Sequence, residues 1–189
     1  MWCGIDPSQL QLGDVLFSRE STAQSTAIQV ASLSPFSHAF IYAGANKIIQ
    51  ATGGSGVSED SLSYIRTHGA FCEVYRHKAI SRFHAAAIVR YCREAIGQPY
   101  NFHRAALSVL GPDVPMNHAE LRAPHAGRRA RTFPMRYRPM YCSQLVALAF
   151  ESVGMPIVHP GQASRSNPGT MRFVHTLRYI DDLYWVELS

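Results

Sequence analysis

The apolar positions of the chain fall into short blocks with two different periods. "GDVLFSR" (13–19) and "SHAFIYAG" (37–44) gather β-branched and aromatic residues into runs bounded by Gly and Ser, the pattern of short buried strands. "NKIIQAT" (46–52) reads as the hairpin partner of the second run across a short Gly-containing turn, and "GGSG" (53–56) breaks the chain again. "GAFCEVYRHK" (69–78) is a further strand, and the tail "MRFVHTLRYIDDLYWVEL" (171–188) alternates enough for one or two closing strands. Two segments switch to helical spacing. In 81–96, Ser81 is placed to cap the N-terminus, Phe83, Ala87, Ile88, Tyr91, Cys92 and Ala95 share one stripe, and Gly97 and Pro99 end the helix. In 142–153, Leu145, Val146, Ala149, Phe150 and Val153 share a face, and Gly154 and Pro156 stop it. A third helical spacing runs through 21–33, at Ala27, Ile28, Val30 and Ala31.

About three helices and five or six short strands, out of regular βαβ alternation, predict an α+β fold with an antiparallel sheet packed against helices. A doubly wound nucleotide fold is disfavoured, and no GxGxxG or Walker-type loop is present. The 189 residues suffice for one domain with a hydrophobic core, expected over 1–189. One segment, 111–140, is rich in Pro, Arg and His and without periodicity, and is expected to be a long loop or insertion.

Composition adds few constraints: 47% apolar and 16% charged residues describe an ordinary globular chain. No apolar run approaches the ~20 residues needed to span a bilayer, and the N-terminus lacks the basic start and apolar core of a signal peptide. A soluble protein is expected, cytoplasmic in its producer or exported by a specialised secretion route. Cys3, Cys72, Cys92 and Cys142 are scattered and form no CxxC pair, so reduced thiols are expected, with no structural zinc and no cofactor. The net charge of +5 is concentrated in "RAPHAGRRARTFPMRYR" (122–138), with six arginines and no acid. Arg128, Arg129 and Arg131 at its centre form either a solvated loop or a docking patch for phosphate, carboxylate or an anionic membrane.

The candidate chemistry sits at Cys142, in "MYCSQLVALAF" (140–150). Pro139 breaks the chain before it, so Cys142 falls in the first turn of its helix. There the unpaired backbone N–H groups and the positive end of the dipole favour a thiolate. The alternative is a small buried hydrophobe. A cysteine nucleophile needs a positioned imidazole, and His38 is the best placed of nine histidines: it opens an apolar strand and has small neighbours in Ser37 and Ala39. The other eight lie in polar or irregular contexts, and most of them read as surface residues. If 38–43 and 46–51 pair, Gln50 stands beside His38, where its side-chain carbonyl can accept a ring N–H; otherwise it is an outward polar residue.

"GDVLFSR", "SHAFIYAG", "IIQAT", "GQPYNF" and "YCSQLV", in that order, resemble the permuted papain-fold hydrolases, relatives of the NlpC-type cell-wall peptidases, the YiiX-like proteins and lecithin:retinol acyltransferase. In that group the His strand precedes the Cys helix, and here His38 precedes Cys142. The resemblance implies that Cys142 is the nucleophile and His38 the general base, with the third polar position falling on Gln50. Many YiiX-like members carry Glu there, a departure that bears on the identity of the third member. Tyr141 and Tyr100 occupy family-like aromatic positions, lining the cleft or filling the core, and Ser37 lies beside the base.

A metal-free Cys–His pair performs acyl transfer through a thioester. The kinship implies first an amidase or endopeptidase acting on bacterial cell-wall peptides, suited to an antibacterial effector with an immunity protein as partner. The arginines, interleaved with Phe133, Met135 and Tyr137, keep open a lipid-directed acyl hydrolase (phospholipase) or acyltransferase at membranes. A non-catalytic module binding anionic ligands is the third expectation. Nucleic acid is not an expected partner, because no recognition motif accompanies the charge.

Overall fold

The computed structural model describes residues 1–19, 26, 29–30, 34–68, 71–108 and 139–187. Among these residues, seven strands form one antiparallel sheet: β1 (Trp2–Gly4), β2 (Val15–Arg19), β3 (His38–Gly44), β4 (Lys47–Thr52), β5 (Gly56–Ser61), β6 (Phe71–His77) and β7 (Leu177–Trp185), in spatial order β1-β7-β6-β2-β3-β4-β5. The helices described from end to end are α1 (Ser63–Thr67), α2 (Arg82–Glu94), α3 (Phe102–Ser108), α4 (Cys142–Ser152) and α5 (Pro168–Met171). This is the α+β class that the pattern predicts. Of the helical spacing at 21–33, Thr26, Gln29 and Val30 are helical, while Ala27, Ile28 and Ala31 lie outside the described residues, as do Arg128, Arg129 and Arg131.

Both faces of the sheet are covered, which is why its central strands read as continuous apolar runs. Val15, Phe17, Ala39, Ile41, Ile49 and Ala51 point to one face and pack with Ile88, Val89 and Cys92 of α2 and Leu145, Val146 and Phe150 of α4. Leu16, Phe40, Tyr42, Ile48 and Val74 point to the other, where Ile65 of α1 and Ile5 and Leu10 of the N-terminal segment close over them. Complete burial of side chains such as Leu145 and Phe150 stabilises the fold by about 1.5–3 kcal/mol each. That packing seats α4 across β3 and β4 and against α2.

The centre of the sheet is pinned by polar contacts as well. Gly13 takes a positive φ and donates its N–H to the Tyr42 carbonyl at 2.9 Å. The next residue, Asp14, is fully buried and receives two hydrogen bonds from Arg76, at 2.7 and 2.8 Å. The "GD" of "GDVLFSR" is therefore structural: a two-pronged guanidinium–carboxylate pair compensates the buried charge.

The structure departs from the sequence expectation in several places. β1 and β5 were not expected, nor the short helices α1, α3 and α5. Phe83 lies off the buried stripe of α2 and is 88% exposed, because the helix buries Ala85, Ile88, Val89 and Cys92 instead. His77 is buried, an exception among the histidines that mostly read as surface residues. It packs on Phe150, and burial, reinforced by nearby His84, pushes its pKa down.

β5 is anchored at its start. Gly56 has φ +70, and a Cβ there would lie 2.2 Å from the Gln98 carbonyl oxygen. Val57 donates to that same oxygen, and Gly97 donates back to the Val57 carbonyl, at 2.8 and 2.9 Å. Gly56→Ala combines left-handed backbone strain with this clash and is expected to destabilise the fold by about 2–3 kcal/mol in urea denaturation. A variant as stable as wild type would contradict this close approach.

Candidate active site

The site is assembled where α4 begins and β3 starts. α4 has Tyr141 as its N-cap residue, in extended conformation and with no side-chain cap. The first-turn N–H groups are thus not consumed by a capping side chain, and Cys142 stands among them. The helix start is held from below by the Ser143 hydroxyl, which donates to the Ser166 carbonyl at 2.8 Å. It is held from the side by the 99–101 segment: Met140 N–H donates to the Pro99 carbonyl at 2.9 Å, and Asn101 N–H to the Met140 carbonyl at 3.0 Å. This bridge sets Tyr100 beside Met140.

His38 is the first residue of β3, so its partly buried ring stands at the strand's end rather than inside the core. There it faces the Cys142 thiol, where its charge and hydrogen-bonding nitrogen favour the thiolate. Its Nε2 lies 2.9 Å from Gln50 Oε1 on β4, and its face meets Phe40 edge-on at 4.7 Å. The structure therefore brings together Cys142, His38 and Gln50, three residues separated by 12 and 92 positions along the chain.

The Cys142 thiol is almost fully buried (4% exposed), and burial by itself favours the neutral form. Opposing it are the charge of His38, the hydrogen bond from that ring, and the backbone N–H groups of Ala39 and Ser143. These together hold the thiol below the ordinary range. Cys92 shows the opposite case: equally buried but without such partners, its thiol is pushed up to about 12. The two cysteines share a core and differ in electrostatics. Tyr100 and Tyr141 are both pushed up, first by burial and then by the charge of Cys142.

The remaining sequence candidates divide by position. Tyr100 is half-buried beside the thiol. Tyr141 is 1% exposed and its hydroxyl donates to the Ala163 carbonyl at 3.4 Å, so of its two readings it takes the core position. Ser37 is buried next to His38, with its backbone N–H on the Ser18 carbonyl at 3.0 Å and no hydrogen-bond partner for its hydroxyl among the described residues. Sequence reasoning missed Asp60, on β5, whose Oδ2 accepts from the Gln50 amide nitrogen at 2.9 Å and from the Ser58 hydroxyl at 2.7 Å. The signal was present in "VSED" (57–60), because a strand there places Ser58 and Asp60 on one face, but no apolar alternation marked the strand.

Comparison with known proteins bears on this arrangement in three ways. The fold is similar to the crystal structure titled metalloprotein yiiX from Escherichia coli O157:H7, at 18% identity and a TM-score of 0.64, over 91% of this chain and 97% of that one. The metal of that title belongs to that protein; among the described residues here no group of three His, Cys, Asp or Glu side chains is placed to hold one. No curated protein matches the sequence. Residues 9–106 match the family described as permuted papain-like amidase enzyme, YaeF/YiiX, C92 family, a span that includes His38, Gln50, Asp60 and Tyr100 and ends before Cys142. With more than half of its length matched and a similar fold, this chain belongs to the permuted papain-like amidases of the YaeF/YiiX, C92 family.

Proposed function

We propose that Cys142 is the nucleophile and His38 the general base of an amidase that cleaves peptide stems of bacterial cell wall through a thioester. The observation that carries this reading is the Cys142 thiol, held below its ordinary range at an uncapped helix N-terminus by the ring of His38. The thiol proton moves to His38, and the thiolate attacks the amide carbonyl carbon. The resulting oxyanion is met by first-turn N–H groups of α4, which point at the same place. As the C–N bond breaks, the His38 imidazolium returns its proton to the leaving amine, leaving a thioester on Cys142. Water then adds, deprotonated by His38, and the carboxylic acid and free thiol are restored. Gln50 holds the ring from behind throughout. Tyr100, half-buried beside the thiol, lines the approach to it. Amide cleavage agrees with the family; the cell-wall substrate rests on the NlpC-type kinship of the sequence motifs. Such an activity suits an antibacterial effector released into a rival's periplasm.

A second reading is supported by the six arginines of 122–138 with their interleaved Phe133, Met135 and Tyr137, a composition suited to phospholipid headgroups and acyl chains. The same thiolate would then attack a lipid ester, and the enzyme would release a lysolipid or pass the acyl chain to another acceptor.

Wild type and Cys142→Ala, each incubated with purified sacculi and with anionic phospholipid vesicles, separate these readings by mass spectrometry of the products. Stem-peptide fragments from wild type, reduced about a thousandfold or more in the variant, are expected. Lysolipid instead would move the assignment to the membrane branch, and identical product traces would remove catalysis by Cys142. Independently of substrate, iodoacetamide is expected to label Cys142 at a pH below the ordinary thiol range, with the rate falling as pH drops through the depressed pKa. His38→Ala is expected to slow labelling at neutral pH by about tenfold or more, read by peptide mapping. Equal rates would contradict the Cys142–His38 coupling.

A further inference from the structure

Behind His38 the hydrogen bonds continue. Gln50 presents Oε1 to the ring and its amide nitrogen to Asp60, both at 2.9 Å. The same Asp60 oxygen accepts the Ser58 hydroxyl at 2.7 Å, and Ser58 is linked through Ser55 to Thr52 at 3.3 and 2.8 Å. Register explains the convergence: Gln50 pairs with Ser58 and Ile48 with Asp60, so alternation puts Ser58 and Asp60 on the face that Gln50 uses.

The chemistry of the chain has one direction. A carboxylate only accepts, so Asp60 selects the NH2 end of the Gln50 amide and turns the carbonyl end toward His38. His38 must answer with an N–H at Nε2. Its lone pair is then on Nδ1, the nitrogen left for the Cys142 proton. A reversed amide would present N–H to Nε2 and favour the other tautomer, whose Nδ1–H cannot take the proton.

We propose that Asp60 is a positioning residue of this site: it sets the Gln50 amide and, through it, the His38 tautomer, and its charge stabilises the imidazolium once the thiol proton has moved. This assignment rests on the Cys142–His38 reading above. Gln50 alone is neutral and offers no such charge; Asp60 supplies it one hydrogen bond further back. The other ionisable groups near the pair are Tyr100 and Tyr141, both kept protonated by burial, and Arg104 beside Tyr141. Glu59, the neighbour of Asp60 on β5, is paired with Arg93 of α2 at 2.7 Å.

Three variants separate charge from orientation. Asp60→Asn keeps an acceptor and loses the charge, Asp60→Leu loses both, and Asp60→Glu keeps both. Iodoacetamide labelling of Cys142 across pH is read for each, with ring 15N shifts of His38 recorded in a Cys142→Ala background. Asp60→Leu is expected to slow labelling at neutral pH about tenfold, as a one-unit pKa change would, and to populate the Nδ1–H tautomer. Asp60→Asn moves the labelling curve to higher pH with the tautomer retained, and Asp60→Glu stays within about twofold of wild type. Superimposable labelling curves and 15N shifts for all three overturn the assignment. Should a variant fail to fold, the Cys142→Ala protein with Asp60 intact decides alone: neutral His38 as Nε2–H supports the proposal, and Nδ1–H overturns it. Wild-type Cys142 that labels only in the ordinary thiol range would instead sink the Cys142–His38 reading, a different failure from variants that match a low-pH wild type.

Discussion

The contact between the Cys142 thiol and the His38 ring joins the first turn of one helix to the first residue of one strand, and the rest of the molecule holds those two ends together. Burial works against it, since an enclosed thiol resists ionisation, as Cys92 shows a short distance away in the same core. The opposing terms are all directional: a ring nitrogen, two backbone N–H groups and an uncapped helix start. Directional terms act only when geometry is kept, so the apolar packing of α4 on β3 and β4 is a condition of the electrostatics.

Several local features serve that geometry. The Asp14–Arg76 pair and Gly13 tie the start of β2 to its neighbours, so β3 pairs with a rigid partner along Val15–Ser18. Ser143 and the 99–101 segment fix the two sides of the α4 N-terminus. That segment follows the 97–98 turn, which is bonded to the start of β5, the strand that also carries Asp60. One edge strand thus reaches the thiol by two routes: through the backbone toward Tyr100, and through side chains toward His38.

Much of this was legible in the sequence, for physical reasons. β2, β3 and β4 are rich in β-branched and aromatic residues and bounded by turns, so their strand character and the nearness of Gln50 to His38 follow from period and turn chemistry. The Cys142 helix shows its start at Pro139 and its stop at Gly154. β5 was not legible because "GVSEDS" carries little apolar signal; as a polar edge strand it is defined by its pairing with β4. β1 is three residues long and exists by pairing with β7. Phe83 misled because hydrophobicity alone placed it on the α2 stripe, whereas that helix turns Ala85, Ile88, Val89 and Cys92 to the sheet. The Arg-rich segment, including Arg128, Arg129 and Arg131, lies outside the described residues, and its role is carried by composition alone.

The charge state of one sulfur, that of Cys142, decides whether this site can act as a nucleophile. Ultraviolet absorbance of the thiolate, titrated in wild type and in Cys142→Ser and taken as the difference, reports that state without substrate. A thiol held below its ordinary range by His38 gives a difference signal that is already present at neutral pH and disappears only on acidification. A difference signal that first appears near the ordinary thiol pKa of about 8.5 would contradict that lowered pKa.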